Sequence, residues 1–228
     1  MLKFIFRGLE FFWSTLIYLI YPPMCPICRE ITDEQFQFCD KCREKFFRAD
    51  KIKNPRQPIA EVMRLTTYRG VTQKMLNKLK FENNQNVLPY LKNILAESSK
   101  REEVREFIKK IDAAMFVPLH ESRLKERGYN QVELIFKDWL DSQNVPIENF
   151  LIRHKQTPKL YNLNPKEREE TLNNAFIPRE NFNLTGKKIL IVDDIYTTGA
   201  TSSECAKVLK SLGADKIFML ALASDFKI

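Results

Sequence analysis

Glycine is scarce in this chain, at 6 of 228 residues, and histidine scarcer still, at two. So little glycine excludes collagenous and low-complexity readings. Two histidines leave a histidine-based metal centre or a Ser-His-Asp triad poorly supplied. No Gly-Lys-Ser/Thr follows a glycine-rich turn anywhere, which excludes a Walker-type nucleotide loop. Long apolar runs are missing too. Phe11–Tyr21 is interrupted by Ser14 and Thr15 and falls short of the ~20 residues a spanning helix needs. Lys3 and Arg7 precede it, but Tyr21-Pro22-Pro23-Met24 is no small-residue cleavage site. The run therefore predicts an amphipathic helix stopped by Pro22–Pro23, with its aromatic face packed on the segment that follows or on the main domain. Peripheral membrane contact through residues 4–21 ranks behind that, and the expected location is cytoplasmic.

With 44% hydrophobic and 29% charged residues, the composition suits one ordinary domain plus a small appendage. The formal net charge is +8. Residues 1–50 carry seven basic and seven acidic side chains, so the whole excess sits in 51–228. A basic body suits an anionic partner such as phosphate, nucleotide or nucleic acid, without choosing among them.

Four of the five cysteines form Cys25-x2-Cys28-x10-Cys39-x2-Cys42, and Cys205 stands far away. Each CxxC turn presents two sulfurs to one ion, and the loop between brings the pairs together into a closed tetrahedron. The expectation is structural Zn2+ on Cys25, Cys28, Cys39 and Cys42. Two disulfides in a secreted protein are the alternative. The odd fifth thiol and the absence of a clear export signal count against them.

A charged, proline-bearing stretch from Asp50 to Pro58 marks the seam between two expected domains, 1–50 and 51–228. Beyond it, strand-like runs alternate with helical patterns, which predicts βαβ units and a parallel α/β sheet flanked by helices. Val71, Met75 and Leu79 share one helical face, and Val132, Ile135, Phe136 and Trp139 repeat at helical spacing. Val87–Phe107 reads as one looser helical stretch. Ala113–Pro118, Ile189–Val192 and Ile217–Ala223 read as buried strands, and residues 153–187 as the most loop-like part.

One stretch concentrates the chemistry: Ile189-Leu190-Ile191-Val192-Asp193-Asp194-Ile195-Tyr196-Thr197-Thr198-Gly199-Ala200-Thr201. Four apolar residues make a strand buried on both faces. Two carboxylates sit at its carboxyl end, where open α/β sheets bind ligands. A hydroxyl-rich turn then leads into a helix with Cys205, Val208, Leu209 and Leu212 on its apolar face and Gly213 as its stop. Backbone N–H groups of 197–201 and the hydroxyls of Thr197, Thr198 and Thr201 converge as a phosphate cradle. Asp193 and Asp194 stand one sugar's length upstream, placed to accept from a cis-diol. Cys205, on the buried face, is a packing residue.

This stretch resembles the 5-phosphoribosyl-1-pyrophosphate (PRPP) motif of type I phosphoribosyltransferases. The resemblance implies that the acid pair binds the ribose hydroxyls and that Thr197, Thr198, Gly199, Ala200 and Thr201 bind the 5-phosphate. A second stretch, from Glu121 to Gln131, reads as a basic loop after a strand ending at His120. There Arg123, Lys125 and Arg127 are placed to neutralise pyrophosphate, with Mg2+ bridging.

Together with Pro22-Pro23-x-Cys25-x-x-Cys28 after an apolar helix, the second cysteine pair and Arg123…Arg127-Gly128-Tyr129-Asn130-Gln131, this order of motifs resembles the ComF family (ComFC, or GntX-like). These are phosphoribosyltransferase-like proteins linked to natural competence and DNA uptake. The resemblance covers nearly the whole chain. It implies a ligand-site lysine in Leu79-Lys80-Phe81. It also implies a mobile segment from Arg153 through Thr157, Pro158, Glu167 and Arg168 to Phe176, where Leu160 and Thr171 depart from the usual Gln and Asn. Asp193, Asp194 and Arg127 would then be the catalytic residues, with Lys80 and Arg123 also meeting PRPP and Mg2+ accompanying it. Phosphoribosyl transfer to an unspecified acceptor is one expectation. The rival is a non-catalytic, PRPP- or nucleotide-regulated factor that contacts single-stranded DNA or proteins of the uptake machinery.

Overall fold

A computed structural model describes residues 13, 16–47, 49–158, 164–180 and 182–225. Residues 4–12, 14 and 15 of the expected N-terminal helix, and Leu160 of the expected mobile segment, lie outside these. The chain divides into two compact units, Met1–Phe46 and Phe47–Ile228.

In the first unit, residues 16–20 are helical. Trp13, Ile17, Leu19, Ile20 and Tyr21 are all more than half exposed. The chain then folds into a knuckle. Met24 and Ile31 form an antiparallel bridge, and the Arg29 N–H returns to the Cys25 carbonyl at 2.9 Å. Arg29 takes a left-handed φ of 68° to close this turn. Helix α1 (Asp40–Phe46) carries Cys42 and starts with the Arg43 N–H on the Cys39 carbonyl at 2.9 Å.

The second unit is built on a five-stranded sheet. Its strands are β1 (Asp50–Lys51), β2 (Glu61–Thr67), β3 (Ala113–Phe116), β6 (Lys188–Tyr196) and β7 (Lys216–Ser224), in the order β1-β2-β7-β6-β3. Only β1 runs antiparallel; the other neighbours are parallel. A separate antiparallel pair joins β4 (Leu151–Arg153) to β5 (Phe176–Pro178). The helices are α2 (Gly70–Phe81), α3 (Leu88–Ser99), α4 (Glu102–Ile108), α5 (Glu121–Arg127), α6 (Gln131–Ser142), α7 (Pro165–Leu172) and α8 (Ala200–Ser211). This is the parallel sheet flanked by helices that the alternating patterns predict.

The central strands are buried on both faces, as parallel strands under helices must be. Ile189, Ile191, Ile217, Met219 and Ala221 pack with Cys205, Ala206 and Leu209 of α8 and with Leu151 and Phe176 of the small sheet. Successive side chains on a strand alternate faces, so Leu190, Val192, Phe218 and Leu220 turn the other way, where Phe107 of α4 meets Phe218 edge-on at 5.7 Å.

Several local expectations need correction. The stretch Val87–Phe107 is two helices, broken at Lys100–Arg101. Glu121–Arg127 is a helix rather than a loop: His120 Nδ1 accepts from the Ser122 N–H at its start, and Gly128, at φ 81°, ends it with an N–H to the Leu124 carbonyl. Residues 153–187 hold β5 and α7. Finally, β6 continues through Tyr196, paired with Ser224 of β7. Asp193 and Asp194 therefore lie within the strand, just past the last pairing with β3 at Val192.

Candidate functional site

In the first unit the sulfurs of Cys25, Cys28, Cys39 and Cys42 lie within 4.8 Å of one another, with Cys28 and Cys39 at 3.4 Å. A tetrahedral ion with Zn–S bonds near 2.3 Å needs sulfurs about 3.8 Å apart, so the cluster fits zinc. Disulfide bonding, at about 2.05 Å, is not what holds these sulfurs; all five cysteines are free thiols. Such a site supplies a cross-link between the knuckle and the start of α1.

In the second unit the site grows from β6 and the turn after it. The pleat sends Asp193 and Asp194 to opposite faces of the sheet. Asp194, 2% exposed, faces α2 and α6. Lys80 Nζ of α2 donates to both its oxygens, at 3.1 Å to Oδ1 and 2.8 Å to Oδ2, and Gln131 Nε2 donates to Oδ2 at 3.1 Å. Burial alone would raise the Asp194 carboxyl, but the Lys80 ammonium and the Gln131 amide outweigh it and hold it below the ordinary range. Asp193 turns toward the α8 side, and its Oδ1 accepts from the Asp194 backbone N–H at 2.8 Å. Its carboxyl is pushed up to about 8, first by burial and then by the charge of Asp194.

The turn Thr197-Thr198-Gly199 starts α8. Gly199 has φ 72°, and a Cβ there would run into the Tyr196 hydroxyl and ring, so only glycine fits the turn as it stands. The Ala200 N–H points to Thr198 Oγ1 at 3.4 Å, and the Ser203 N–H bonds the Gly199 carbonyl at 2.8 Å. Thr197 is exposed, and Arg168 Nη1 of α7 donates to its hydroxyl at 3.2 Å. Thr201 lies in the first turn of α8.

The basic residues divide. Arg127 Nη1 donates to Gln131 Oε1 and so joins the Asp194 cluster. Arg123, one turn earlier on α5, instead donates through Nη2 to the Thr157 and Pro158 carbonyls, both at 2.9 Å. Thr157 Oγ1 in turn accepts from Arg153 Nη2 at 2.5 Å. Arg153 is 5% exposed and stacks over the Phe176 ring. Lys80 thus meets Asp194 of the acid pair, while Arg123 anchors the 153–158 segment. Gln131, Arg153 and Arg168 join these contacts, although their motifs assign them no individual role. For Gln131 a signal existed: it follows the helix-capping Asn130 directly, at the first position of α6.

Residues 16–52 match the double zinc ribbon domain. The chain is 31% identical over 155 residues to competence protein F of Haemophilus influenzae, covering 65% of this chain and 66% of that protein. It is a homologue of that protein. The chain belongs to the ComF family. Two further relatives agree: DNA utilization protein YhgH of Salmonella typhimurium, 24% identical over 84% of this chain and 86% of that one, and competence protein ComFC of Bacillus subtilis, 29% identical over 64% and 57%. Among solved structures, phosphoribosylpyrophosphate synthetase from Mycobacterium smegmatis overlaps 64% of this chain and 40% of its own at 13% identity and a TM-score of 0.34. Among the described residues no helix is long and apolar enough to cross a membrane.

Proposed function

We propose that this ComF-family protein binds PRPP, or a closely related phosphoribosyl ligand, and acts in natural competence or the use of incoming DNA. The observation that carries the ligand is the β6–α8 connection. Within one strand, turn and helix start it collects Asp193, Asp194, the hydroxyls of Thr197, Thr198 and Thr201, the obligate Gly199 and the Ala200 N–H. A 5-phosphate suits the turn and the positive end of α8; the ribose hydroxyls suit the carboxylates. The role in competence rests on the named relatives.

Lys80 bridges both oxygens of Asp194 in this state, and a ligand carrying pyrophosphate would compete with that carboxylate for the ammonium. The ammonium then has the pyrophosphate as its natural new partner, beside Arg127 and with Mg2+ as the pyrophosphate's counter-ion. In turnover, a nucleophile would bond to ribose C1 as the C1–O bond breaks, and pyrophosphate would leave with the bonding pair. Charge held ready at the leaving group would be the main source of acceleration. The free thiols of the zinc cluster suit a reducing, cytoplasmic setting.

A second reading keeps the pocket and drops the reaction, making the ligand a regulator of single-stranded DNA or protein binding. The basic excess of 51–228 favours it, and such DNA binding weakens steeply with salt. The deciding experiment is calorimetric titration of the zinc-loaded protein with PRPP and Mg2+, beside Asp193→Ala/Asp194→Ala. Micromolar binding lost in the double variant supports the pocket; equal affinity in both removes it. Pyrophosphate release on addition of nucleobases or DNA then separates transfer from regulation.

A further inference from the structure

We propose that Gln131 is a positioning residue that ties Asp194 to Arg127, so that the ribose end and the pyrophosphate end of the ligand are bound cooperatively; this rests on the phosphoribosyl reading above. Gln131 is 3% exposed. Its Nε2 donates to Asp194 Oδ2 at 3.1 Å, and its Oε1 accepts from Arg127 Nη1. A carboxylate only accepts and a guanidinium only donates, so an amide between them has one orientation that satisfies both. Glutamate in its place would keep the bond to Arg127 but set a negative charge against Asp194. Leucine would lose both bonds.

The backbone beneath this amide is pinned. Asn130 caps α6 by accepting from the Val132 N–H at 3.0 Å, and its Nδ2 donates to the Val117 carbonyl at 3.2 Å, just past the end of β3. Gln131 is therefore registered against the end of β3 through its neighbour's bond to Val117. The other partner of Asp194 is less fixed: the Lys80 side chain is 22% exposed, against 4% for that of Asp194. Once Lys80 turns to a phosphate, Gln131 is the group left holding the carboxylate in place. A ligand that draws on Arg127 thus acts on Asp194 through one buried amide, which is how a buried hydrogen-bond network couples its ends.

The test uses Gln131→Leu, Gln131→Glu and Arg127→Ala in the full zinc-loaded chain, each first checked for a wild-type melting profile. Calorimetry with PRPP and Mg2+ should show Gln131→Leu about ten- to a hundredfold weaker, the range for losing a hydrogen bond to a charged group. Gln131→Glu should be at least as weak. Combining Gln131→Leu with Arg127→Ala should lose less than the product of the two single losses, because the first already breaks the link. Carboxyl 13C titration of the ligand-free protein should show Asp194 protonating at higher pH in Gln131→Leu. Wild-type affinity in either Gln131 variant, or independent single losses, overturns the proposal. If the wild type does not bind PRPP, the functional reading fails and the carboxyl titration decides alone: a shifted Asp194 sustains the positioning role, and an unmoved one ends it.

Discussion

Asp193 and Asp194 are adjacent in the chain and face opposite sides of β6. One is held ionised by Lys80 and Gln131; the other is driven toward its neutral form by burial and by its neighbour's charge, which outweigh the more distant pull of Lys80. The pair therefore shares its chemistry unequally, one permanent acceptor beside one acid that holds its proton near neutrality.

That inequality sets a pH dependence. Asp193 titrates at about 8 in the folded chain against an ordinary 3.8, so the native state binds its proton more tightly than the unfolded state. Its contribution to stability is complete below about pH 4 and declines as pH rises toward 8. Asn at 193 removes this slope. Melting temperatures of the ligand-free protein from pH 5 to 8.5 should fall for the wild type relative to Asp193→Asn, with the gap widest at the alkaline end. Parallel curves would remove Asp193 as the source.

Lys80 neutralises a carboxylate that has almost no contact with solvent. Removing one partner of a buried pair leaves the other charge uncompensated and costs about 3–5 kcal/mol. Lys80 is itself partly exposed and Gln131 remains, so Lys80→Met should cost less, about 2 kcal/mol, as read by urea unfolding. Lys80→Met combined with Asp194→Asn should recover most of that loss. A double variant as unstable as the single one would mean that Lys80 stabilises the fold by packing rather than charge.

What the sequence reveals follows from how much of each signal is local. The four cysteines, the apolar run of β6 and the helical face of α8 are set by spacing alone, and all three stand where spacing puts them. Strand β2 escapes notice because Arg64 interrupts its apolar run; that arginine is buried and paired with Asp50 of β1 at 3.2 Å, a partner fourteen residues away. Helix α5 escapes because it buries no residue, so its sequence carries no apolar period, only a cap at His120 and a stop at Gly128. The division of the acid pair depends on β6 continuing past Val192, which its pairing with β7 enforces, and the Gln131 link depends on where α6 docks. Neither is written in any one segment.

Gly199 tests the turn. With φ at 72° and Tyr196 against the missing Cβ, alanine must strain the backbone and push the Tyr196 ring. A non-glycine residue in this region costs about 1–2 kcal/mol before any clash. Gly199→Ala should therefore unfold at lower urea and bind PRPP more weakly, since the start of α8 shifts away from the phosphate. Tyr196→Phe in the same chain removes only the hydroxyl contact and leaves the ring carbon 2.8 Å from the new Cβ, so it should restore little. Full recovery would place the conflict in the hydroxyl alone.

The zinc cluster makes the most separable prediction. Its four sulfurs draw on two segments, the knuckle at Cys25 and Cys28 and the α1 start at Cys39 and Cys42, which leaves a short chain little else to close on. Small domains of this size gain much of their folding free energy from the metal. Elemental analysis should find one zinc per chain in the wild type and lose it in Cys25→Ser, and proteolysis should then cut within residues 16–46. Cys205→Ser, in the buried face of α8, should leave zinc content unchanged. Retention of stoichiometric zinc by Cys25→Ser would show that the remaining three sulfurs suffice, and loss of zinc on Cys205→Ser would contradict the separation of the fifth thiol from the site.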